Sequence, residues 1–264
     1  MVGAKYVFII AFYILCSALA LHAQEQADTQ TQDTSQTAVD PEALEILKEM
    51  SDTLMSAKEF SFDTEITNDR TLDSGQTIQI SGTMKGAVKR PNQVYAKYTG
   101  DFNTREVWYS GDELTLYVPD KGYYGQLKTP DTIDATMDFL MDSYNFALPL
   151  ADVISADPYT SVMETTTGGF VVGDSMVRGV ECTHLAFTAE YVDWQIWISN
   201  DDPALPHKIV IEYKELEGVP QYQAIFSNWN LSPKLSKSTF KPNLPKDAVK
   251  IDFINFKKDK GDDK

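Results

Sequence analysis

The middle of the chain consists of short segments in which apolar and polar residues alternate. Alternation with a period of two is typical of an antiparallel strand that buries one of its faces. In the first segment, the residues that share one face are Phe60, Phe62, Thr64 and Ile66. Turn sequences such as "RPN", "SGD" and "PDKG" separate several further segments, around 78–88, 94–98, 105–109, 113–118 and 123–127. The spacing leaves no room for the long crossovers that parallel strands need, so it predicts consecutive hairpins.

Helical patterns interrupt these strands twice. Near the start, Asp40 can cap a helix whose first residue is Pro41, and apolar residues follow at helical spacing. In mid-chain, we expect Thr129 to cap a helix that starts at Pro130 and carries one apolar stripe, formed by Ile133, Met137, Leu140, Met141 and Tyr144. Shorter helical pieces are expected in "PLADVIS" and "DPYTSVM". Strands then return around 170–173, 176–189, 191–198, 207–215 and 220–230.

This order of elements predicts a mainly β protein of the α+β class. We expect a large antiparallel sheet of about ten or eleven strands, with two or three helices packed on one face. Because no linker or internal repeat is visible, one domain over residues 39–256 accounts for the pattern. The polar tail at 257–264 is expected to fray.

The first residues, 1–23, have the parts of a secretory signal peptide. Lys5 precedes an uninterrupted apolar run, and small residues follow it. We expect cleavage near Ala20 or Ala23; an uncleaved anchor is the alternative, although the run is short for a span of about 20 residues. Residues 24–38 contain no large apolar side chain and are expected to form a disordered leader. The mature protein is thus expected to be periplasmic or secreted, without a membrane span.

Charge and cysteine content exclude several classes of protein. The net charge of −16 argues against a nucleic-acid partner and against electrostatic docking on anionic lipid. Cys16 lies within the signal, behind Ile14 and Leu15 rather than the small residues of a lipoprotein signal. Cys182 is then the only thiol of the mature chain, so an internal disulfide is excluded. Stability must therefore come from an apolar core.

Catalytic and metal-binding patterns are weak in this sequence. Cys182 and His184 share one face of a predicted strand, which suggests a thiolate–imidazole pair or half of a metal site. A zinc site needs three or four ligands, and no second Cys or His cluster is present. The simpler interpretation is a buried Cys beside a partly exposed His. The paired glycines of "TTTGGF" lack the Lys-Ser/Thr of a phosphate loop and indicate a hairpin turn. We therefore expect no catalytic residue, metal or cofactor.

Two tryptophans lie close together in the segment "DWQIWI". Trp194 and Trp197 are three residues apart, so a strand points them to opposite faces of the sheet. Trp194 shares its face with Val192, Ile196 and Ile198, and this continuous apolar face predicts contact with the core or a ligand. Trp197 is expected on the outer face, over neighbouring strand side chains or under a terminal segment.

The segment around these tryptophans belongs to a longer pattern. Its members are Asp193-Trp194-Gln195, Trp197-Ile198, Leu205-Pro206, Tyr222, Trp229, and then Phe240, Pro245, Ala248 and Ile251. With "DPEALEILKEMSDTL" as a first helix, the pattern resembles a family of uncharacterised exported bacterial proteins in the lipoprotein-carrier (LolA/LolB-like) superfamily. The resemblance covers most of residues 40–253. It implies an open, strongly curved half-barrel whose concave face is covered by helices and, in the carriers, holds lipoprotein acyl chains.

From this resemblance we expect a non-catalytic protein that binds a lipid, a lipoprotein acyl chain or another hydrophobic ligand in the concave groove. The candidate lining is Trp194, Ile196, Ile198, Ile209, Ile211, Tyr213, Tyr222 and Phe226, capped by Met137, Leu140 and Met141. Two alternatives remain: a periplasmic scaffold whose own helices fill the groove, and a hydrolase of envelope material. The carriers also use an arginine to control the closed lid, and the sequence leaves open which arginine would do so among Arg70, Arg90, Arg105 and Arg178.

Overall fold

The computed structural model describes residues 39–146 and 150–254. These residues form one open, curved sheet of twelve strands in the order β12-β6-β5-β4-β3-β2-β1-β11-β10-β9-β8-β7. The strands are β1 Glu59–Thr71, β2 Thr77–Lys89, β3 Gln93–Gly100, β4 Thr104–Ser110, β5 Glu113–Val118, β6 Tyr123–Lys128, β7 Thr166–Val177, β8 Val180–Ala189, β9 Val192–Ser199, β10 Pro206–Tyr213, β11 Gln221–Asn230 and β12 Val249–Lys250. The predicted fold class is confirmed. The additional strand is β12, whose two residues are too few to show an alternating pattern.

The sheet consists of two meanders joined side by side. Strands β1 to β6 follow one another as antiparallel neighbours, as do β7 to β11, and β1 pairs with β11 to join the two halves. Only β12 runs parallel to its partner among the described strands. Since β6 and β7 lie near opposite edges, the connection over residues 129–165 must pass from one side of the sheet to the other. The predicted signal peptide, leader and tail lie outside the described residues.

The described residues include four α-helices, which cover one face of the sheet; we call this the inner face. They are α1 Pro41–Ser56, α2 Ile133–Tyr144, α3 Ala151–Ile154 and α4 Pro158–Met163. As predicted, Asp40 caps α1, and its Oδ1 accepts a hydrogen bond from the Glu42 N–H at 2.9 Å. Helix α1 lies over β7 and β9 and contacts α4. In the part of the chain that the structure describes, no helix is long and apolar enough to cross a bilayer.

Helix α2 begins three residues later than the sequence indicates. Its cap is Thr132, whose Oγ1 accepts a hydrogen bond from the Ala135 N–H, rather than Thr129. The physical reason lies at Pro130, which stays outside the helix because its carbonyl accepts hydrogen bonds from the Tyr109 hydroxyl at 2.9 Å and the Thr136 hydroxyl at 3.0 Å. These bonds fix the start of α2 beside β4.

The prediction of a hairpin turn in "TTTGGF" is wrong. Both glycines lie inside the long edge strand β7, between two irregularities in its pairing with β8. Gly169 is needed there because any Cβ would collide with the Phe187 ring that lies against it. The turn of this hairpin falls instead at Arg178 and Gly179, both with positive φ. A close approach of an aromatic ring, not chain reversal, therefore explains this glycine.

The core lies between the inner face and the helices. At its centre Phe60 and Phe226 are fully buried, and the Phe62 ring lies 4.9 Å from the Trp229 ring and 5.6 Å from the Phe226 ring. Leu47 and Leu54 bring α1 into the same cluster. Cys182 is a free, buried thiol, and burial of this apolar surface stabilises the described fold.

Candidate ligand-binding cavity

A cavity of about 80 Å³ lies between the sheet and the helices. Its sheet side is formed by β9 and β10, with Trp194, Ile196, Ile209 and Ile211 among the lining residues. Its helix side is formed by α1 and by the segment 150–163, which we call the lid because it contains α3 and α4. The helix-side lining residues include Leu47, Met50, Leu150, Val153, Pro158 and Val162. The cavity is therefore predominantly apolar.

Ring stacking fixes the position of Trp194 in the cavity wall. The indole lies 4.1 Å from the Phe187 ring with an interplanar angle of 14°. Phe187 in turn lies against Gly169 on β7, where the missing side chain makes room for it. The stack thus runs across three neighbouring strands. Parallel aromatic contacts of this kind add to the stabilisation from area burial, so we expect this wall to be rigid.

One carboxyl group lines the cavity among its apolar walls. Asp152, on α3, accepts a hydrogen bond at Oδ1 from the Ser161 hydroxyl of α4, at 2.7 Å. Burial raises the pKa of Asp152, and the hydrogen bond from Ser161 only partly opposes this. Beside the cavity, burial raises the pKa of Tyr213 to about 12, with the charge of Asp152 as a second cause. Burial thus disfavours the charged form of both groups.

Hydrogen bonds from several elements fasten the lid to the rest of the described protein. Arg90, at the end of β2, donates a hydrogen bond from Nη1 to the Ile154 carbonyl at 3.1 Å. The Ala156 N–H donates to Asp134 Oδ1 of α2, and the Tyr159 N–H donates to the Ser51 hydroxyl of α1, both at 3.0 Å. The Thr166 hydroxyl of β7 also donates to the Val162 carbonyl at 2.8 Å. These bonds hold the lid from four separate elements.

Arg90 combines this bond with an unusual environment. Its guanidinium lies 5.5 Å from the centre of the Phe60 ring, and its Nε and Nη2 are buried without a hydrogen-bond partner among the described residues. Burial lowers the pKa of Arg90, and the nearby charge of Asp134 opposes the shift. In contrast, Arg178 pairs with Glu65 on the sheet. Of the arginines that the sequence left open, the structure joins Arg90 to the lid.

The structure brings four of the predicted site residues together in the cavity: Trp194, Ile196, Ile209 and Ile211. Ile198, Tyr213, Tyr222 and Phe226 are buried on the same inner face, beside the cavity rather than in its lining. The predicted cap, Met137, Leu140 and Met141, lies on α2 and does not line this cavity. Their role in ligand binding stays a prediction.

The cavity residues that the sequence did not indicate come from α1 and the lid. Leu47 and Met50 belong to a clear apolar stripe, but such a stripe gives no sign of which residues border a void. Val153 and Val162 lie on helices of four and six residues, too short to show a helical period. The sequence gives one indication of these lining residues: the segments "PLADVIS" and "PYTSVM", which follow the predicted α2, contain several apolar residues.

The outer face carries the Cys182–His184 pair, and its environment disfavours a reactive thiol. Cys182 is fully buried, and burial raises the pKa of its thiol to about 11. Burial also lowers the pKa of His184. The charged forms of both groups, thiolate and imidazolium, are therefore disfavoured. As expected, Trp197 lies on this face over strand side chains, 3.9 Å from the His184 ring and 4.4 Å from Lys208 Nζ. The described residues contain no group of three or more potential metal ligands.

The fold and cavity define a class: a half-barrel sheet with an apolar space enclosed by helices. The chain belongs to the family described as "Predicted periplasmic protein (DUF2092)", whose model matches residues 43–254. The expectation of an uncharacterised exported family and of a periplasmic location is thereby confirmed. A search of curated proteins gives no match.

Solved structures with a similar arrangement come from several bacteria. Lipoprotein LppX of Mycobacterium tuberculosis is 16% identical, with a TM-score of 0.48 over 75% of this chain and 100% of that one. LprF of Mycobacterium bovis is 13% identical, with a TM-score of 0.43 over 80% and 99%. The LolA superfamily protein NE2245 of Nitrosomonas europaea is 12% identical, with a TM-score of 0.36 over 76% and 97%.

Proposed function

We propose that this periplasmic protein binds a lipid, a lipoprotein acyl chain or another hydrophobic ligand between β9–β10 and the lid, without catalysing a reaction. The observation that carries the proposal is the apolar cavity itself, covered by a lid that hydrogen bonds with Arg90, Asp134, Ser51 and Thr166 hold in place. Burial of an alkyl chain there would contribute about 25 cal/mol per Å² of apolar area before the costs of association.

The size of the cavity sets what the closed protein can hold. A dry cavity of about 150 Å³ accommodates benzene, whereas this one has about 80 Å³. The closed form therefore has room for the end of one alkyl chain, and a complete acyl chain requires the lid to move away from the sheet.

The lid is suited to such movement. Helices α3 and α4 have four and six residues, and isolated helices of that length are unstable in water, so their structure depends on packing. Opening breaks the hydrogen bond from Arg90 to the Ile154 carbonyl and exposes the Asp152 carboxyl to solvent. We propose that Arg90 is the residue that holds the lid closed, the role that the family resemblance implies for one arginine.

Purified protein provides the test. Native mass spectrometry and lipid extraction of protein isolated from the periplasm should show a bound lipid. After delipidation, the protein should take up a fluorescent acyl probe, with heat-denatured protein as the control. Protein that carries no lipid and takes up no probe would refute the proposal.

The small volume of the cavity supports one competing function, a scaffold whose groove is filled by its own helices. The same uptake experiment separates the two, because a self-packed scaffold takes up no probe at any concentration. An envelope hydrolase has less support: glycoside hydrolysis uses two opposed carboxyl groups, and Asp152 is the one carboxyl among the described lining residues.

A further inference from the structure

Tyr222 carries a buried hydroxyl that the described residues leave without a hydrogen-bond partner. The residue is 8% exposed, and its Oη is among the buried polar atoms that nothing in the described structure bonds. Burial is the main cause that raises the pKa of Tyr222, so the phenol keeps its proton. Because an unmade bond leaves desolvation uncompensated, more than about nine in ten buried polar groups in proteins have a partner. The exception at Tyr222 requires an explanation.

The position of Tyr222 connects it to the cavity. On the sheet, Tyr222 lies directly opposite Ile211, and Ile211 lines the cavity. Directly opposed residues share a face, with Cβ atoms about 4.5–5.5 Å apart. Thr64 Oγ1 is also buried without a partner, but Thr64 lies opposite Phe226, which does not line the cavity. Tyr222 does not line the cavity itself, but it carries the unpaired buried hydroxyl directly opposite a lining residue, so a ligand that extends past Ile211 can reach it.

The surroundings of Tyr222 restrict the acceptor to an uncharged group. Ile211 lies opposite it on β10 and Asn68 lies opposite it on β1. Tyr213 and Tyr98 are near enough to raise its pKa further. None of these neighbours is a cation, so an anion placed there would lose its hydration without compensation. Asp152 on the lid would repel an anion further whenever its carboxyl is ionised. A neutral carbonyl oxygen attached to an alkyl chain meets both conditions, because its chain can occupy the apolar cavity while the oxygen accepts the phenol proton.

We propose that Tyr222 donates a hydrogen bond to the ester carbonyl of a bound acyl chain, so that the cavity selects acyl esters over hydrocarbons of the same length. This inference rests on the proposed function, since it names the chemical class of the ligand. The specificity of the site then depends on one atom, the hydroxyl oxygen of Tyr222.

The test removes that oxygen with Tyr222→Phe. Methyl palmitate and hexadecane are titrated separately against delipidated protein loaded with a fluorescent naphthylamine dye, and displacement of the dye gives both affinities. For the wild-type protein, we expect methyl palmitate to bind more tightly than hexadecane. In Tyr222→Phe, we expect the ester affinity to fall about two- to tenfold, the range for one neutral hydrogen bond, with hexadecane unchanged.

Tyr109→Phe is the matched control. Tyr109 is 2% exposed, but its hydroxyl already donates to the Pro130 carbonyl. The control should lower the melting temperature and leave the ester affinity unchanged. Tyr222→Phe should instead keep or raise the melting temperature of the ligand-free protein, because it removes an unpaired polar group.

The outcomes separate this inference from the proposed function. If neither compound displaces the dye from wild-type protein, the proposed function fails and this inference fails with it. If both compounds bind but Tyr222→Phe weakens them equally, or weakens neither, the ligand-binding function stands and the role of Tyr222 is overturned. A fall in melting temperature like that of Tyr109→Phe would also overturn it, because the hydroxyl would then have a partner within the protein or an ordered water.

Discussion

Filling the cavity from the lid gives the most direct test of where ligand binds. Val162 lies on α4 and lines the cavity, so Val162→Phe places a ring in the space that an alkyl chain would occupy. We expect this variant to lose uptake of the fluorescent acyl probe. At the same time, the ligand-free protein should become more stable, because a void has been filled.

The expected gain in stability follows from the cavity volume. An enclosed void in a core costs about 24 cal/mol per Å³. This cavity of about 80 Å³ is partly open to solvent, so about 2 kcal/mol is the upper limit of its cost by that relation. A single ring fills part of the space and introduces some strain, so we expect a gain of about 1 kcal/mol in the free energy of unfolding. For a domain of this size, that gain raises the melting temperature by about 2–4 °C.

The control is the same substitution on the outside of the sheet. Val172 on β7 is 49% exposed, so Val172→Phe should change neither probe uptake nor stability by a measurable amount. Thermal unfolding by circular dichroism and fluorescence titration are run on both variants. Normal probe uptake by a more stable Val162→Phe would refute the reasoning, since ligand would then bind elsewhere. A large loss of stability would show that the cavity has no room for the ring.

Three further predictions concern the lid and the wall. Arg90→Met removes a charged hydrogen bond worth about 1.5–3 kcal/mol to the closed lid, so stopped-flow probe uptake should become at least about tenfold faster; an unchanged rate would contradict the role of Arg90. Burial raises the pKa of Asp152 above its ordinary 3.8, so stability is lost as pH rises from about 4 through the raised pKa. Asp152→Asn should therefore melt higher than wild type at neutral pH, with the difference vanishing towards pH 4; a pH-independent difference would contradict this. Gly169→Ala should displace the Phe187 ring and cost about 1–3 kcal/mol of stability, and an unchanged melting temperature would show that Phe187 moves freely.

Alternation of apolar and polar residues was sufficient to predict the sheet. A period of two places Trp194 and Trp197 on opposite faces, and in the structure Trp194 borders the cavity while Trp197 packs on His184 at the outer face. The pattern works because each strand of a meander buries one face against a common core, so local sequence and tertiary environment agree. The two-residue strand β12 has no such pattern and was missed.

The lid could not be assigned by the same reasoning. The stripe of Met137, Leu140 and Met141 predicts an amphipathic helix, which the structure contains as α2, but a stripe does not specify the strands on which it packs. Helix α2 starts beside Pro91, where the Ile133 N–H donates to the Pro91 carbonyl at 3.0 Å, on the β1–β6 half of the sheet. The cavity lies on the other half, under α3 and α4. That placement depends on tertiary contacts such as the Arg90 bond, which no local pattern reports.

The order of the strands explains why a lid exists at all. Strands β6 and β7 are consecutive in the chain but lie near opposite edges of the sheet, about ten strand spacings apart. At about 4.8 Å per spacing, the path along the sheet is roughly 48 Å, and the connection over residues 129–165 has to cover it. The helices of this connection pack on the inner face, so the same segment both crosses the sheet and covers the core. The whole connection over residues 129–165 is consequently attached at both edges of the sheet, so we expect the lid to open over β9 and β10 without unfolding of either meander. The position of the cavity under this segment follows from the topology, and we expect the short helices α3 and α4 to be the part of the crossing that moves away at the lowest cost.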